Sequence, residues 1–184
     1  EFGQLANLSQ LSLSANQLTG SIPGELALAG AGPNAHTMIL NLSNNQLSGT
    51  IPQEIAGSRV SGLDLTGNKL SGPIPAYVAD APYLSSLNLG ENDFSGAIAP
   101  ELGKITNLRT LDLSGNKLTG SIPPELGNFS FLYVLDLSDN LLVGALPPRL
   151  GGLVGLNMFY LNSNTGLNAC LPQDLTALNQ LKLF

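Results

Sequence analysis

A sevenfold internal repeat constrains the fold more than any other feature of this 184-residue sequence. An apolar-x-apolar motif followed by Asn recurs every 24 residues, apart from one interval of 29 and one of 23. The copies, which define coils one to seven, read LSLSAN, LNLSNN, LDLTGN, LNLGEN, LDLSGN, LDLSDN and FYLNSN and start at Leu11, Leu40, Leu63, Leu87, Leu111, Leu135 and Phe159. A fixed period of this length indicates stacked structural repeats, each in contact with its neighbours.

The apolar-x-apolar motif predicts one short strand in each coil. Its period of two turns both apolar side chains towards one face and the residue between them towards the other. The Asn follows the strand where the chain must turn, and its amide can bond backbone groups of its own coil and of the adjacent coil. We therefore predict a structural ladder of Asn16, Asn45, Asn68, Asn92, Asn116, Asn140 and Asn164.

A second motif follows each Asn and closes the coil. It reads LTGSIPGEL from Leu18, LSGTIPQEI from Leu47 and LTGSIPPEL from Leu118. Its Gly suits a tight or positive-φ bend, and its Ile-Pro is compatible with an extended return leg. The Glu-Leu end predicts a short helical turn before the next coil begins.

The combined pattern LxxLxxLxLxxNxLxGxIPxxLGxL resembles the plant-specific class of leucine-rich repeat, which is found in receptor-like kinase ectodomains and polygalacturonase-inhibiting proteins. The resemblance covers residues 5–184. It implies an α/β solenoid, namely a right-handed leucine-rich-repeat superhelix with a parallel concave β-sheet, a smaller second sheet and 3-10 turns on the convex side. We expect a single solenoid over residues 1–184, with seven coils and the start of an eighth.

Several departures from the pattern are expected to alter the stack. Residues 27–36 add five residues between the first two coils, which we expect to form a convex bulge. The fourth coil has Ala99 in place of proline, with Pro100 one position later. The paired-cysteine caps of the plant family are missing, and we expect the single Cys170 to be a packed thiol. We therefore expect a fragment whose open ends expose core leucines and permit end-to-end self-association.

Function is expected on the exposed strand positions, because corresponding side chains of successive coils stack about 4.8 Å apart in columns. Chemical variety in these columns concentrates in coils four to seven. The predicted partner-binding residues on the concave face are Asn88, Glu91, Arg109, Asp112, Tyr133, Asp136, Tyr160 and Asn162. Tyr133 and Tyr160 are the candidate anchors, since an exposed tyrosine offers apolar contact area and a hydrogen-bonding tip.

Two of these assignments also have a simpler interpretation. The carboxylates of Asp112 and Asp136 would attract a cationic group, but Asp is also the commonest residue at this position of the repeat class that the chain resembles. Arg109 has acidic neighbours, which predicts a surface ion pair that contributes little to stability.

Composition and motifs argue against other classes of function. A net charge of −6 without a run of Lys or Arg disfavours nucleic acid and anionic membranes as partners. No apolar stretch approaches the roughly 20 residues of a membrane span. The single His36 supports no catalytic constellation with Cys170, and solvated carboxylates on one flat sheet lack the environment that separates the pKa values of a glycosidase pair. We predict no enzymatic activity, no metal site and no cofactor.

The leading hypothesis is a non-catalytic recognition module that binds a protein, peptide or glycan on its concave face, as the resemblance to receptor-type and inhibitor-type proteins implies. A structural segment that assembles through its open ends is one alternative. Ice binding is another, motivated by hydroxyl side chains after the ladder at Thr19, Ser48, Ser71, Ser95 and Thr119. The resemblance favours an extracellular location, although the sequence shows neither a signal-peptide pattern nor a cysteine pair.

Overall fold

The computed structural model describes residues 5–30, 32 and 36–168, and the backbone of residues 182–183. The predictions for Cys170 and for the part of the convex insertion at residues 31 and 33–35 lie outside this range. Within the described residues, successive strands alternate between two parallel sheets, so that each of coils one to seven contributes one strand to each sheet.

The first sheet consists of the predicted strands of the apolar-x-apolar motif. Its members, in spatial order, are β1 (Gln10–Ser12), β3 (Met38–Asn41), β5 (Val60–Asp64), β7 (Ser86–Asn88), β9 (Thr110–Asp112), β11 (Val134–Asp136), β13 (Met158–Tyr160) and β15 (Lys182–Leu183). Equivalent residues pair directly, so that Leu87 lies between Leu63 and Leu111. These leucines are buried, and the predicted parallel concave sheet is confirmed.

The second sheet forms at the apolar-x-Gly sequence that follows the ladder Asn in coils one to six, and its last strand follows Asn164 in coil seven. Its strands are β2 (Thr19–Ser21), β4 (Gln46–Gly49), β6 (Lys69–Gly72), β8 (Asp93–Ala97), β10 (Lys117–Gly120), β12 (Leu141–Ala145) and β14 (Gly166–Asn168). The Gly of the motif has positive φ, for example 77° at Gly120. Register in this sheet is staggered by two residues per coil, since Ser48 pairs with Lys69 and Ser95 with Lys117.

Short helical turns close the coils on the side away from the concave sheet. The first is α1 (Glu25–Leu28), and 3-10 turns follow at Gln53–Ile55, Ala76–Asp80, Pro100–Lys104, Pro124–Asn128 and Pro148–Gly152. Pro100, the displaced proline of coil four, begins its turn, where a fixed φ and a missing N–H are tolerated. None of the described helices has the length and apolar character that a membrane span requires.

The insertion after coil one begins inside α1 and folds back on the first coil. The backbone N–H of Gly30 donates to the carbonyl oxygen of Leu5 at 2.9 Å, and that of Gly32 donates to Ala6 at 2.9 Å. Ala27 and Ala29 are buried, so the described part of the insertion packs on the core.

The short interval of 23 residues between coils two and three coincides with a bulge in the concave sheet. Met38 pairs with Val60, but the next residue, Ile39, pairs with Gly62. Ser61 is therefore an extra residue in β5 that no residue of β3 opposes. Bulges of this kind bend a strand and re-aim its side chains.

The Asn ladder ties each coil to the one before it. The side-chain amide of Asn116 donates to the carbonyl oxygens of Leu89 and Leu113 at 3.0 and 3.1 Å, and its Oδ1 accepts the N–H of Phe94 at 3.0 Å. The same pattern recurs at Asn45, Asn68, Asn92, Asn140 and Asn164. Asn16 is exposed and, among the described residues, bonds only carbonyl groups of its own coil.

Candidate functional site

Four of the predicted partner-binding residues form one continuous row on the concave sheet. Strand pairing places Asn88 beside Asp112, Asp112 beside Asp136, and Asp136 beside Tyr160. All four are half-buried, because their side chains point away from the leucine core but lie against their neighbours. We call these four residues the central row.

The carboxylates of the central row also bond their own backbone. Oδ1 of Asp136 accepts the N–H and the hydroxyl group of Ser138 at 2.9 and 2.6 Å, and Asp112 makes the same two bonds with Ser114. Asn41 accepts the corresponding pair in coil two. One oxygen of each Asp thus supports the turn after the strand, and the other bonds none of the described residues.

Positive charge is favoured at the central row. Burial raises the pKa of Asp136, and the nearby carboxylates of Asp112 and Asp139 raise it further, against the hydrogen bonds from Ser138, which lower it. Burial and like charges both disfavour the ionised form of a carboxyl group. A bound cation would offset both effects.

Arg109 and Tyr133 lie beside the amino-terminal ends of β9 and β11, on adjacent coils. The carbonyl oxygen of Arg109 accepts the N–H of Tyr133 at 2.8 Å. The guanidinium carbon of Arg109 is 5.9 Å from the centre of the Phe131 ring, a cation–π contact. This contact replaces the ion pair that the sequence predicts for Arg109, which is paired with none of the described carboxylates.

Phe131 is a candidate contact residue that sequence reasoning missed. It is 56% exposed, and Tyr133 is 49% exposed, whereas Leu132 between them is buried. The repeat register contained the signal, because Phe131 lies at a non-core position directly before Leu132, as Tyr133 lies directly after it. Together, Arg109, Phe131 and Tyr133 form what we call the aromatic edge.

Glu91 and Asn162 lie in the turns that follow β7 and β13, at the opposite end of the strands from the aromatic edge, and both are exposed. Glu91 has φ 53°, in the left-handed region that few side chains adopt. The residue before the ladder Asn is left-handed in every described coil, at Ala15, Asn44, Gly67, Glu91, Gly115, Asp139 and Ser163. The eight predicted residues therefore form the central row and two flanking pairs rather than one cluster.

A pocket of about 290 Å³ opens on the same sheet in coils two to four, outside most of the predicted region. Of the predicted residues, Asn88 alone lines it. The pocket exists because Gly62 and Ser86 occupy the column position that larger side chains fill in later coils. Those larger residues are Thr110, Val134 and Met158.

Among the described residues, no three His, Cys, Asp or Glu side chains come together in a way that could hold a metal ion. His36 is exposed immediately before β3.

Family models match three segments of the chain. The model described as Leucine Rich Repeat matches residues 7–28 and 36–58, and the model described as Leucine Rich repeats (2 copies) matches residues 106–148. Comparison with curated proteins gives no match.

Solved plant structures are similar to the chain over most of its length. The Arabidopsis receptor kinase HAESA, in complex with the peptide hormone IDA and the co-receptor SERK1, is 33% identical over 98% of this chain and 30% of that chain, with a TM-score of 0.78. The BIR3–SERK2 complex from Arabidopsis thaliana gives 40% identity, 73% and 69% coverage and a TM-score of 0.60. A plant ice-binding protein gives 30% identity, 83% and 49% coverage and a TM-score of 0.74. The chain spans 24% of the GASSHO1/SCHENGEN3 and PEPR1 chains, 30% of the HAESA chain and 40% of the RGFR1 chain.

Proposed function

The chain belongs to the leucine-rich-repeat family, and from this premise we propose that it is a non-catalytic recognition module that binds an extended peptide or protein segment across its concave sheet. The central row carries the proposal. Its hydrogen-bonding side chains recur at the strand separation of about 4.8 Å, so a ligand lying across the strands meets one at each coil.

The aromatic edge supplies the second element of a recognition surface. Exposed aromatic and Arg side chains contribute most of the binding free energy in many interfaces, while surrounding polar contacts fix the register. Phe131 and Tyr133 provide the apolar area, and Asp112 and Asp136 provide charge. We propose that the ligand spans coils four to seven, with a basic group over the two carboxylates.

The solved relatives support a peptide rather than a small molecule as the ligand class. HAESA is seen with a peptide hormone and a co-receptor. Because this chain spans less than a third of that receptor, we propose ligand recognition for it and carry over nothing else.

The test combines Tyr133→Ala, Asp136→Asn and Tyr160→Ala in one variant. The ligands are peptides selected from a random linear library for binding to the unmodified chain. The variant is expected to bind them about 100-fold more weakly, because it lacks two anchors and one charge. Asn at position 136 preserves the turn, because Asn41 makes the same bonds in coil two. Titration calorimetry measures the affinity, and circular dichroism confirms unchanged melting.

A matched control replaces three exposed residues of the second sheet, Thr119, Leu141 and Val143, with Ala. This variant is expected to bind the selected peptides as the unmodified chain does. Undiminished binding by the concave-sheet variant, or equal losses in both variants, would refute the proposed site.

Ice binding is a second candidate, supported by the similarity to a plant ice-binding protein and by the exposed hydroxyls of the second sheet. The staggered register sets Lys69 beside Ser48 and Leu141 beside Thr119, so hydroxyls do not form straight rows across the strands. We expect no thermal hysteresis in a freezing assay. Hysteresis that disappears in Thr119→Ala would instead assign function to the second sheet.

Glycan binding and end-to-end self-association stay predictions. The exposed Leu5 and Leu18 of the first coil motivate the latter. Sedimentation velocity over a range of concentrations distinguishes a monomer from such an assembly.

A further inference from the structure

We propose that the pocket in coils two to four binds a primary ammonium group, carried by a lysine side chain or by the amino terminus of a peptide. The inference rests on the proposed function in one respect, namely that the ammonium belongs to the peptide ligand of the concave sheet. The binding chemistry itself follows from the pocket.

The pocket is produced by the local sequence of coils three and four. The bulge at Ser61 displaces the start of β5 relative to β3, and Gly62 contributes no side chain. Ser86, the next residue in that column, is also small. Bulges recur next to functional sites because they re-aim side chains.

Two hydroxyl groups of the pocket can act only as acceptors towards a ligand. The hydroxyl of Ser61 donates to the carbonyl oxygen of Met38 at 3.3 Å, and that of Ser85 donates to the carbonyl oxygen of Ser61 at 2.9 Å. A serine hydroxyl has one proton. With that proton already donated to a carbonyl, each oxygen offers only its lone pairs.

Asp64 brings negative charge to the same pocket. Its Oδ1 accepts the N–H of Thr66 at 3.1 Å, and its second oxygen bonds none of the described residues. The lining includes no Lys, Arg or His that could neutralise this carboxylate.

Asn88 adds an oxygen acceptor to which none of the described residues donates a hydrogen bond. Its Oδ1 is buried and has no hydrogen-bond partner among the described residues. At the equivalent positions, Oδ1 of Asp64 and Asp112 accepts the N–H of the residue two places later. Coil four lacks that bond at Gly90, so the Asn88 side chain is not held in the turn and can rotate to meet a ligand donor.

These features select a compact multiple donor. A primary ammonium has three N–H groups and a single positive charge, which matches an acceptor-rich pocket with one carboxylate. The volume of about 290 Å³ is at the lower limit of small-molecule sites and suits the end of a side chain. Ile39, 47% exposed at the wall, offers an apolar surface for the methylene groups of lysine.

The test titrates small probes into the isotopically labelled full chain and follows the backbone amides of Gly62, Ser85 and Ser86 by NMR spectroscopy. N-acetyl-lysine methylamide carries a side-chain ammonium, alanine methylamide an α-ammonium, and N-acetyl-norleucine methylamide neither. We expect saturable shifts with at least one ammonium probe and at least tenfold weaker binding of the norleucine probe. The ammonium probe that binds more tightly shows whether the pocket prefers a lysine side chain or the amino terminus of a peptide.

Two variants address the pocket in different ways. Gly62→Val fills it, and a Cβ there meets only the Ile39 side chain at 3.5 Å, an ordinary contact. Val134 already occupies the equivalent position in coil six. Asp64→Asn keeps the shape and removes the charge, which keeps the proposal testable if Gly62→Val does not fold. Each variant is expected to bind the ammonium probe at least tenfold more weakly than the unmodified chain. Glu125→Gln, on a convex turn, is expected to bind the probe with unchanged affinity.

Equal binding of norleucine, no saturable shift at the pocket amides, or full affinity in Asp64→Asn would overturn the proposal. Such a result would leave the proposed function standing, because its test depends on Tyr133, Asp136 and Tyr160 in other coils. If the pocket variants lose peptide binding and the variant at positions 133, 136 and 160 keeps it, the pocket proposal is supported and the proposed site in coils four to seven is refuted.

Discussion

Asn116→Ala is expected to lower the free energy of unfolding by about 4 kcal/mol. The substitution leaves the N–H of Phe94 without an acceptor and removes three amide hydrogen bonds, each contributing about 0.5 to 1.5 kcal/mol, to the carbonyl oxygens of Leu89, Leu113 and Ser114. Asn116 is 8% exposed and Phe94 is fully buried, so water does not replace the lost partners. Each buried polar group left without a partner costs about 1 to 3 kcal/mol.

The first member of the ladder provides the matched control. Asn16 is exposed, and within the described part of the chain it bonds only the carbonyl oxygens of Leu13 and Ser14 in its own coil. Asn16→Ala is expected to cost less than about 1 kcal/mol. Denaturant unfolding measures both variants. Equal losses at positions 16 and 116 would contradict a ladder that joins coils.

The effect of Asn116 should extend to cooperativity. A solenoid unfolds as a row of units coupled only to their neighbours, so weakening one junction divides the row. Asn116 joins coils four and five, near the middle of the stack. We therefore expect a broader transition with a lower denaturant dependence than in the unmodified chain.

The features that the sequence predicts correctly are those that one coil determines by itself and those that stack equivalent residues of successive coils, such as the Asn ladder. Alternation in the apolar-x-apolar motif sets which side chains are buried, as Leu111 and Leu113 show. The Gly of the second motif adopts its positive φ because the bend is local, as at Gly120. Since the motif repeats, a correct assignment for one coil holds for the others.

The features that the sequence does not predict depend on contacts between coils. The stagger of the second sheet, seen where Ser95 pairs with Lys117, follows from how one coil rests on the next. The bulge at Ser61 also depends on how β5 pairs with β3. The shortened interval between coils two and three indicates only its approximate position. The sequence does indicate the left-handed residue before each ladder Asn, because glycine occupies that position in two coils, at Gly67 and Gly115.

The candidate site follows the same division. The central row was predictable, because direct register in the concave sheet stacks equivalent residues such as Asp112 and Asp136. The pocket was not, although two small residues in one column, Gly62 and Ser86, were visible in the sequence. Whether small side chains leave a pocket depends on the neighbouring strands, which a single coil does not specify.

Gly103→Ala and Gly127→Ala are each expected to lower the free energy of unfolding by about 3 kcal/mol, because both glycines permit close approach of adjacent convex turns. A Cβ at Gly103 would lie 2.3 Å from the carbonyl oxygen of Glu125 in the next coil. A Cβ at Gly127 would lie 2.3 Å from that of Arg149. Backbone atoms cannot rotate away as a side chain does, so the coils must separate and lose contacts on both sides, as in an overpacked core.

Gly152 distinguishes this packing effect from a general cost of replacing glycine. It lies on the convex turn of coil six, one residue after the position equivalent to Gly103 and Gly127, and among the described residues the nearest neighbour to an added Cβ is the Gly127 carbonyl oxygen at 3.4 Å, an ordinary contact. None of the three glycines has positive φ, so Ala adopts each backbone conformation without strain. Gly152→Ala is therefore expected to be neutral or to stabilise the chain slightly, by reducing the entropy of the unfolded state. Denaturant unfolding of the three variants measures the difference, and a loss at Gly152 as large as at Gly103 would show that spacing between the convex turns does not require glycine.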